Sequence, residues 1–137
     1  IIIIVNLLFN KLLSQDRNPE WQFYKEISGI QILYKYTECI DLIYDKHYEY
    51  VLLQFINTTD VEMEFQWKRE MWYDDKCLNC DSNSKEYIHS VILKPEETLF
   101  ADCDTKDRGL KIFSKFLKFK ARELTKFEIT EIKVTPR

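Results

Sequence analysis

The clearest pattern in the chain is the alternation between Tyr48 and Trp67. Val51, Leu53 and Phe55 take one parity while Tyr48, Tyr50, Leu52 and Ile56 take the other, so this strand is apolar on both faces and reads as central to a sheet. "NTTD" then supplies turn chemistry, since Asn and Asp side chains bond to their own backbone. The return strand sets Val61, Met63, Phe65 and Trp67 inward against Glu62, Glu64, Gln66 and Lys68 outward. Near Arg69 to Met71 the parity shifts, and Trp72 joins the apolar side only through a bulge.

Shorter alternations flank this pair. In "WQFYKEISGIQILYKYTEC", Trp21, Phe23 and Ile27 share one side, Ile30, Ile32, Tyr34 and Tyr36 share the next, and Ser28-Gly29 marks a turn or bulge. "IDLIYDKH" reads as a connection between two sheets. Downstream, "EYIHSVILKP" and "ETLFADC" are strand candidates joined by a "KPEE" turn, and Gly109 suits a left-handed position. "LKIFSKFLKFKA" fits a strand or one helix face; its aromatic and β-branched residues favour a strand bent by a bulge near Ser114. Phe127 and Ile129 are out of step with Ile132 and Val134, and a bulge around Thr130-Glu131 puts all four on the core face.

Seven or eight strands, short polar connections and no helix able to cover a parallel sheet predict two antiparallel sheets packed face to face. The expected class is all-β, an immunoglobulin-like sandwich over residues 19–137, with a small barrel as the second architecture. Residues 1–18 are set apart. "IIIIVNLLFNKLLSQD" reads either as a secretory h-region or as a buried apolar edge strand with a short helical turn, and it is too short and interrupted to span a bilayer as a helix.

Composition narrows the function classes. The chain has 137 residues, 45% hydrophobic and 31% charged, which is globular rather than disordered. Its two glycines exclude glycine-rich phosphate loops. The net charge of -3 arises from 23 acidic and 20 basic side chains of intermixed sign, so no nucleic-acid partner is expected. The late cluster Lys111, Lys115, Lys118, Lys120 and Arg122 reads as a solvated strand face.

Cys39, Cys77, Cys80 and Cys103 are the only cysteines. A structural zinc site draws its ligands from paired knuckles, and only one C-x-x-C pair exists. A redox-active thiol needs a helix N-terminus, whereas "DSNSKE" leads into a strand. Two disulfides fit best, Cys77 with Cys80 as a local ring and Cys39 with Cys103 as a staple between distant strands. A four-thiolate zinc site is the alternative.

Beside that ring lie Trp72, Tyr73, Asp74 and Asp75, a candidate binding surface. The calcium-loop spacing is absent from these acids, so no metal is assigned to them. His47 and His89 have no neighbouring acid and nucleophile arrangement, and no nucleophile elbow, Walker loop or H-E-x-x-H pair occurs. Neither enzymatic activity nor a cofactor is expected. Asn57-Thr58-Thr59 matches the N-glycosylation pattern on what reads as an exposed turn.

The segments "YEYVLLQFINTTDVEMEFQWKREMWYDDKCLNC", "YIHSVILKPEETLFADC", "LKIFSKFL" and "LTKFEITEIKV" together resemble small, uncharacterised exported proteins of flavobacteria and related Bacteroidota. The resemblance implies an extracytoplasmic location, in the periplasm or at the outer membrane. It carries no activity or catalytic residues to transfer. Two function classes follow: a noncatalytic structural or protein-binding module, such as an accessory subunit of an envelope assembly whose partner is another envelope protein, or a small ligand-binding protein for carbohydrate or metal.

Overall fold

A computed structural model describes residues 18–137, so the expectations for the preceding apolar segment lie outside the described residues. In chain order the strands are β1 (Gln22–Ile27), β2 (Ile30–Asp41), β3 (Lys46–Asn57), β4 (Met63–Tyr73), β5 (Lys76–Cys77), β6 (Ile88–Leu93), β7 (Thr98–Phe100), β8 (Lys111–Phe116) and β9 (Leu124–Pro136). They form two antiparallel sheets packed as the expected β-sandwich. β1, β2 and β3 are a meander, and the far edge of β3 is shared by β8 along Tyr48–Leu52 and β7 along Gln54–Ile56. In the second sheet β4 has β9 along one edge, while β6 and the two-residue β5 share the other.

The sheets meet through aromatic rings. Phe55 of β3 lies 4.7 Å, centroid to centroid, from both Phe65 and Trp67 of β4, and all three are fully buried. Truncating such a ring removes about 3–5 kcal/mol of stability through lost transfer energy and the cavity left behind. Trp67 also donates from Nε1 to the Gly109 carbonyl at 3.0 Å, which satisfies its buried N–H.

Bulges decide which side chains reach this core. The expected bulge at Ser114 is present: Lys115 pairs with Glu49 and Phe113 with Tyr50, leaving Ser114 as the extra residue. Another falls at Glu131-Ile132, where Lys133 faces Gln66 and Thr130 faces Lys68, and Glu131 takes φ 48°. A third changes the reading of β1. Phe23 pairs with Leu33 and Lys25 with Ile32, so Tyr24 is inserted; Phe23 turns out to solvent at 62% exposure, and Tyr24 packs on Phe127 instead.

Four other expectations are corrected. β4 keeps its parity, so Arg69, Met71 and Tyr73 continue the inward stripe of Phe65 and Trp67, and Trp72 stays outside. "IDLIYDKH" does not join two sheets but forms the β2–β3 hairpin turn within one. Gly109 is not left-handed; a Cβ there would meet His89 Cγ at 2.7 Å and Trp67 Cζ2 at 2.8 Å, so close packing excludes a side chain. Asn57 is fully buried, its amide donating to the carbonyls of Val61, Leu93 and Lys94 and accepting from Thr59. A glycan on that nitrogen is incompatible with the fold.

Candidate functional site

The β2–β3 hairpin ends in an apolar tip. Ile40, Leu42, Ile43 and Tyr44 are 52%, 85%, 87% and 71% exposed, the last three in a turn whose shape is set by acidic side chains. The Asp41 carboxylate accepts the N–H groups of Ile43 at 3.0 Å and Tyr44 at 3.3 Å, an Asx turn. Asp45 closes the turn in the left-handed region, at φ 51°. Lys118 reaches both its carboxylate oxygens at 2.6 Å, and with His47 holds the carboxyl below its usual range. Leu117 N–H bonds the His47 carbonyl, tying the β8–β9 loop to the hairpin. At its base, Cys39 is bonded to Cys103, with Cα atoms 5.5 Å apart.

Two clefts open beside this hairpin, separated by Tyr50 and Lys111, which line both. The first, about 360 Å³, carries Arg69, Lys106, Arg108 and Lys111 against one acid, Asp107, over apolar walls that include Met71 and Phe113. The second, about 520 Å³, runs along the hairpin past Ile40, Leu42 and Ile43 to the Cys39–Cys103 bond. Lys111 places Nζ 4.3 Å from the Tyr50 ring centroid and 2.8 Å from the Cys103 carbonyl. Burial pushes its ammonium pKa down, with Asp102 and Asp104 opposing.

The second cysteine pair is Cys77 with Cys80, Cα atoms 5.8 Å apart. These are the pairings the spacing favours, and no cysteine is free among the described residues. A disulfide sulfur offers no thiolate to zinc, so a four-thiolate site is not what this arrangement holds; among the described residues no group of three or more His, Cys, Asp or Glu side chains converges on a metal position.

The expected surface Trp72, Tyr73, Asp74 and Asp75 divides. Tyr73 is buried at 7% exposure, with its hydroxyl donating to the Phe113 carbonyl at 2.7 Å, because β4 holds its inward parity to its last residue. Trp72 is half-buried and covered by Lys126, whose Nζ stands 4.5 Å from its ring centroid. Asp74 and Asp75 take φ 50° and 67°, the two central positions of the β4–β5 turn, where Asp tolerates left-handed backbone. They are turn residues first. His89 packs at 5.7 Å against Trp67, and burial followed by the Arg69 charge lowers its pKa; Asp107 opposes.

Two features escaped the sequence reading. The hairpin tip is hidden because its aliphatics fit a connection between sheets equally well; an aliphatic pair between Asp41 and Asp45 is the signal that marks it. Arg69 was hidden because a charge at an inward position looks like a change of phase.

No family model matches the chain, and no curated protein matches it. Among solved structures, that of a DUF1425 family member from Shewanella sp. pv-4 covers 86% of this chain and 93% of its own, at 9% identity and a TM-score of 0.41. A likeness at that level assigns neither family nor role, and neither result ties the chain to flavobacteria or other Bacteroidota. Among the described residues no helix is long and apolar enough to cross a membrane.

Proposed function

We propose that this chain is a noncatalytic, extracytoplasmic binding module that engages a partner protein through the β2–β3 hairpin tip. The carrying observation is the contiguous exposure of Leu42, Ile43 and Tyr44 on a turn held by Asp41, Asp45 and Lys118. A pre-shaped apolar projection loses little conformational freedom on binding. The tip's rim mixes Asp41 and Asp45 with Lys46 and Lys118. An apolar centre with a rim of both signs is the anatomy of a protein–protein contact, whereas an anionic lipid surface asks for a predominantly basic rim. Two disulfides support an oxidising compartment. The cysteines and His89 are used structurally, as cross-links and as packing against Trp67.

The test places a benzoylphenylalanine crosslinker at position 43 and, as a control, at exposed position 133. The adducted protein is identified, purified and titrated against the parent chain and the Leu42→Ser, Ile43→Ser double variant. The expected result is one protein crosslinked from position 43 only, binding the double variant about tenfold or more weakly. Equal binding of both forms overturns the reading, as does an adduct only between copies of this chain, or flotation with lipid vesicles in place of protein capture.

A further inference from the structure

Arg69 is a cation in a stripe of core residues. Phe65, Trp67, Met71 and Tyr73 share its face of β4, and Arg69 itself is 8% exposed. Its single side-chain hydrogen bond among the described residues runs from Nη1 to the Lys111 carbonyl at 2.6 Å, and Nε is buried without a partner. No carboxylate lies within ion-pair distance of it among the described residues. A buried charge left this way is less favourable than an apolar side chain of the same shape, and a guanidinium has further donors to offer in its plane.

These donors belong to a residue that lines the first cleft. Arg108, Lys106 and Lys111 lie around the same space and Asp107 is the only acid lining it among the described residues, so the potential inside favours an anion. Met71, Tyr50 and Phe113 supply apolar wall, and about 360 Å³ is within the size range of small-ligand pockets. Lys111 is already engaged with Tyr50 and the Cys103 carbonyl, so it shapes the field, while Arg69 has guanidinium donors beyond its one bond to the Lys111 carbonyl.

We propose that this cleft is a binding site for a small carboxylate ligand with an apolar or aromatic body, whose carboxylate pairs with the Arg69 guanidinium. A planar fork of donors matches a carboxylate in paired hydrogen bonds. The apolar wall matches the rest of the ligand and sets it apart from inorganic phosphate. Burial pushes the Arg69 pKa down only to about 10, so the side chain is charged at neutral pH. The site stands apart from the hairpin tip and does not depend on a partner protein engaging it.

The experiment follows the Arg69 Nε–H resonance of the nitrogen-15-labelled chain during titration with phenylacetate, its neutral isostere phenylacetamide, and inorganic phosphate. The expected result is a saturable shift with phenylacetate, an affinity about tenfold or more lower for the other two, and loss of phenylacetate binding in Arg69→Met by calorimetry, with that variant unfolding at an equal or higher midpoint. Where Arg69→Met does not fold, Arg108→Ala at the exposed rim decides by weakening phenylacetate binding severalfold. The proposal is overturned by no saturable shift with phenylacetate, by equal affinity for phenylacetamide or phosphate, or by unchanged binding in the variant that folds.

Discussion

The side chain of Asn79 completes the hydrogen-bond ladder of β4 at Arg69: its Nδ2 donates to the Arg69 carbonyl at 2.6 Å, and its Oδ1 accepts the Met71 N–H at 3.1 Å. β6 pairs with β4 only as far as Lys68 and β5 begins again at Trp72, so an edge gap remains between them. Asn79, 2% exposed inside the Cys77–Cys80 ring, fills that gap, and Leu78 N–H bonds the Met71 carbonyl beside it. The ring is a clamp that holds one amide against a strand.

Asn79→Ala therefore leaves a buried carbonyl and a buried N–H without partners, each unmet group costing about 1–3 kcal/mol. Urea unfolding should show a loss in that range or above it. The Cys77→Ser, Cys80→Ser double variant should be strongly non-additive with Asn79→Ala, because the ring acts by positioning the same amide. Full additivity would show that the two act separately.

The Cys39–Cys103 bond acts on a different scale. It closes 64 residues of sequence separation, for which the chain-entropy relation gives a stabilisation on the order of 4 kcal/mol. Replacing both residues by serine should lower the unfolding midpoint markedly while leaving β4 and its clamp intact. Intact mass of protein with free thiols capped should be one hydrogen short for each cysteine, with no bound zinc; four capped thiols and one zinc per chain would contradict the disulfide arrangement.

Much of the sandwich is readable from period two alone, because Met63, Phe65 and Trp67 turn inward while Glu64 and Gln66 between them stay part-exposed; Lys68, on the parity of Glu64 and Gln66, is buried with its Nζ bonded to Glu70 and the Cys80 carbonyl. The bulges at Ser114 and near Glu131 are legible too, since apolar residues out of step must be brought back to one face. Phe23 and Tyr24 are not: both are aromatic, and only the register against Leu33 and Ile32 tells which is turned inward. Arg69 is illegible for a related reason. Its partners, the Lys111 carbonyl and the Asn79 amide on its backbone, lie 42 and 10 residues away, and neither leaves a mark on the local pattern.

Asn57 offers a check on how far turn chemistry reaches into the core. Its amide bridges the β3–β4 turn to the end of β6 through Val61, Leu93 and Lys94. Asn57→Ala strands those acceptors and the Thr59 N–H, and chemical unfolding should show a loss of about 2–4 kcal/mol. Expression in a glycosylating host should return folded chain without a glycan at this position.

His89 sets a pH dependence whose sign follows from its surroundings. Burial against Trp67 and the charge of Arg69 lower its folded-state pKa, with Asp107 opposing, and its Nε2 is buried without a partner among the described residues. Below the ordinary histidine pKa of about 6.5 the unfolded chain takes up a proton that the folded chain resists, so unfolding is favoured as pH falls. The stabilisation is complete above that value and is lost as pH drops through the lower, folded-state pKa. Midpoints measured from about pH 7.5 down to about pH 5 should decline, and His89→Gln should remove part of that slope by giving both states the same neutral group. An unchanged slope in the variant would assign the decline to the carboxylates instead.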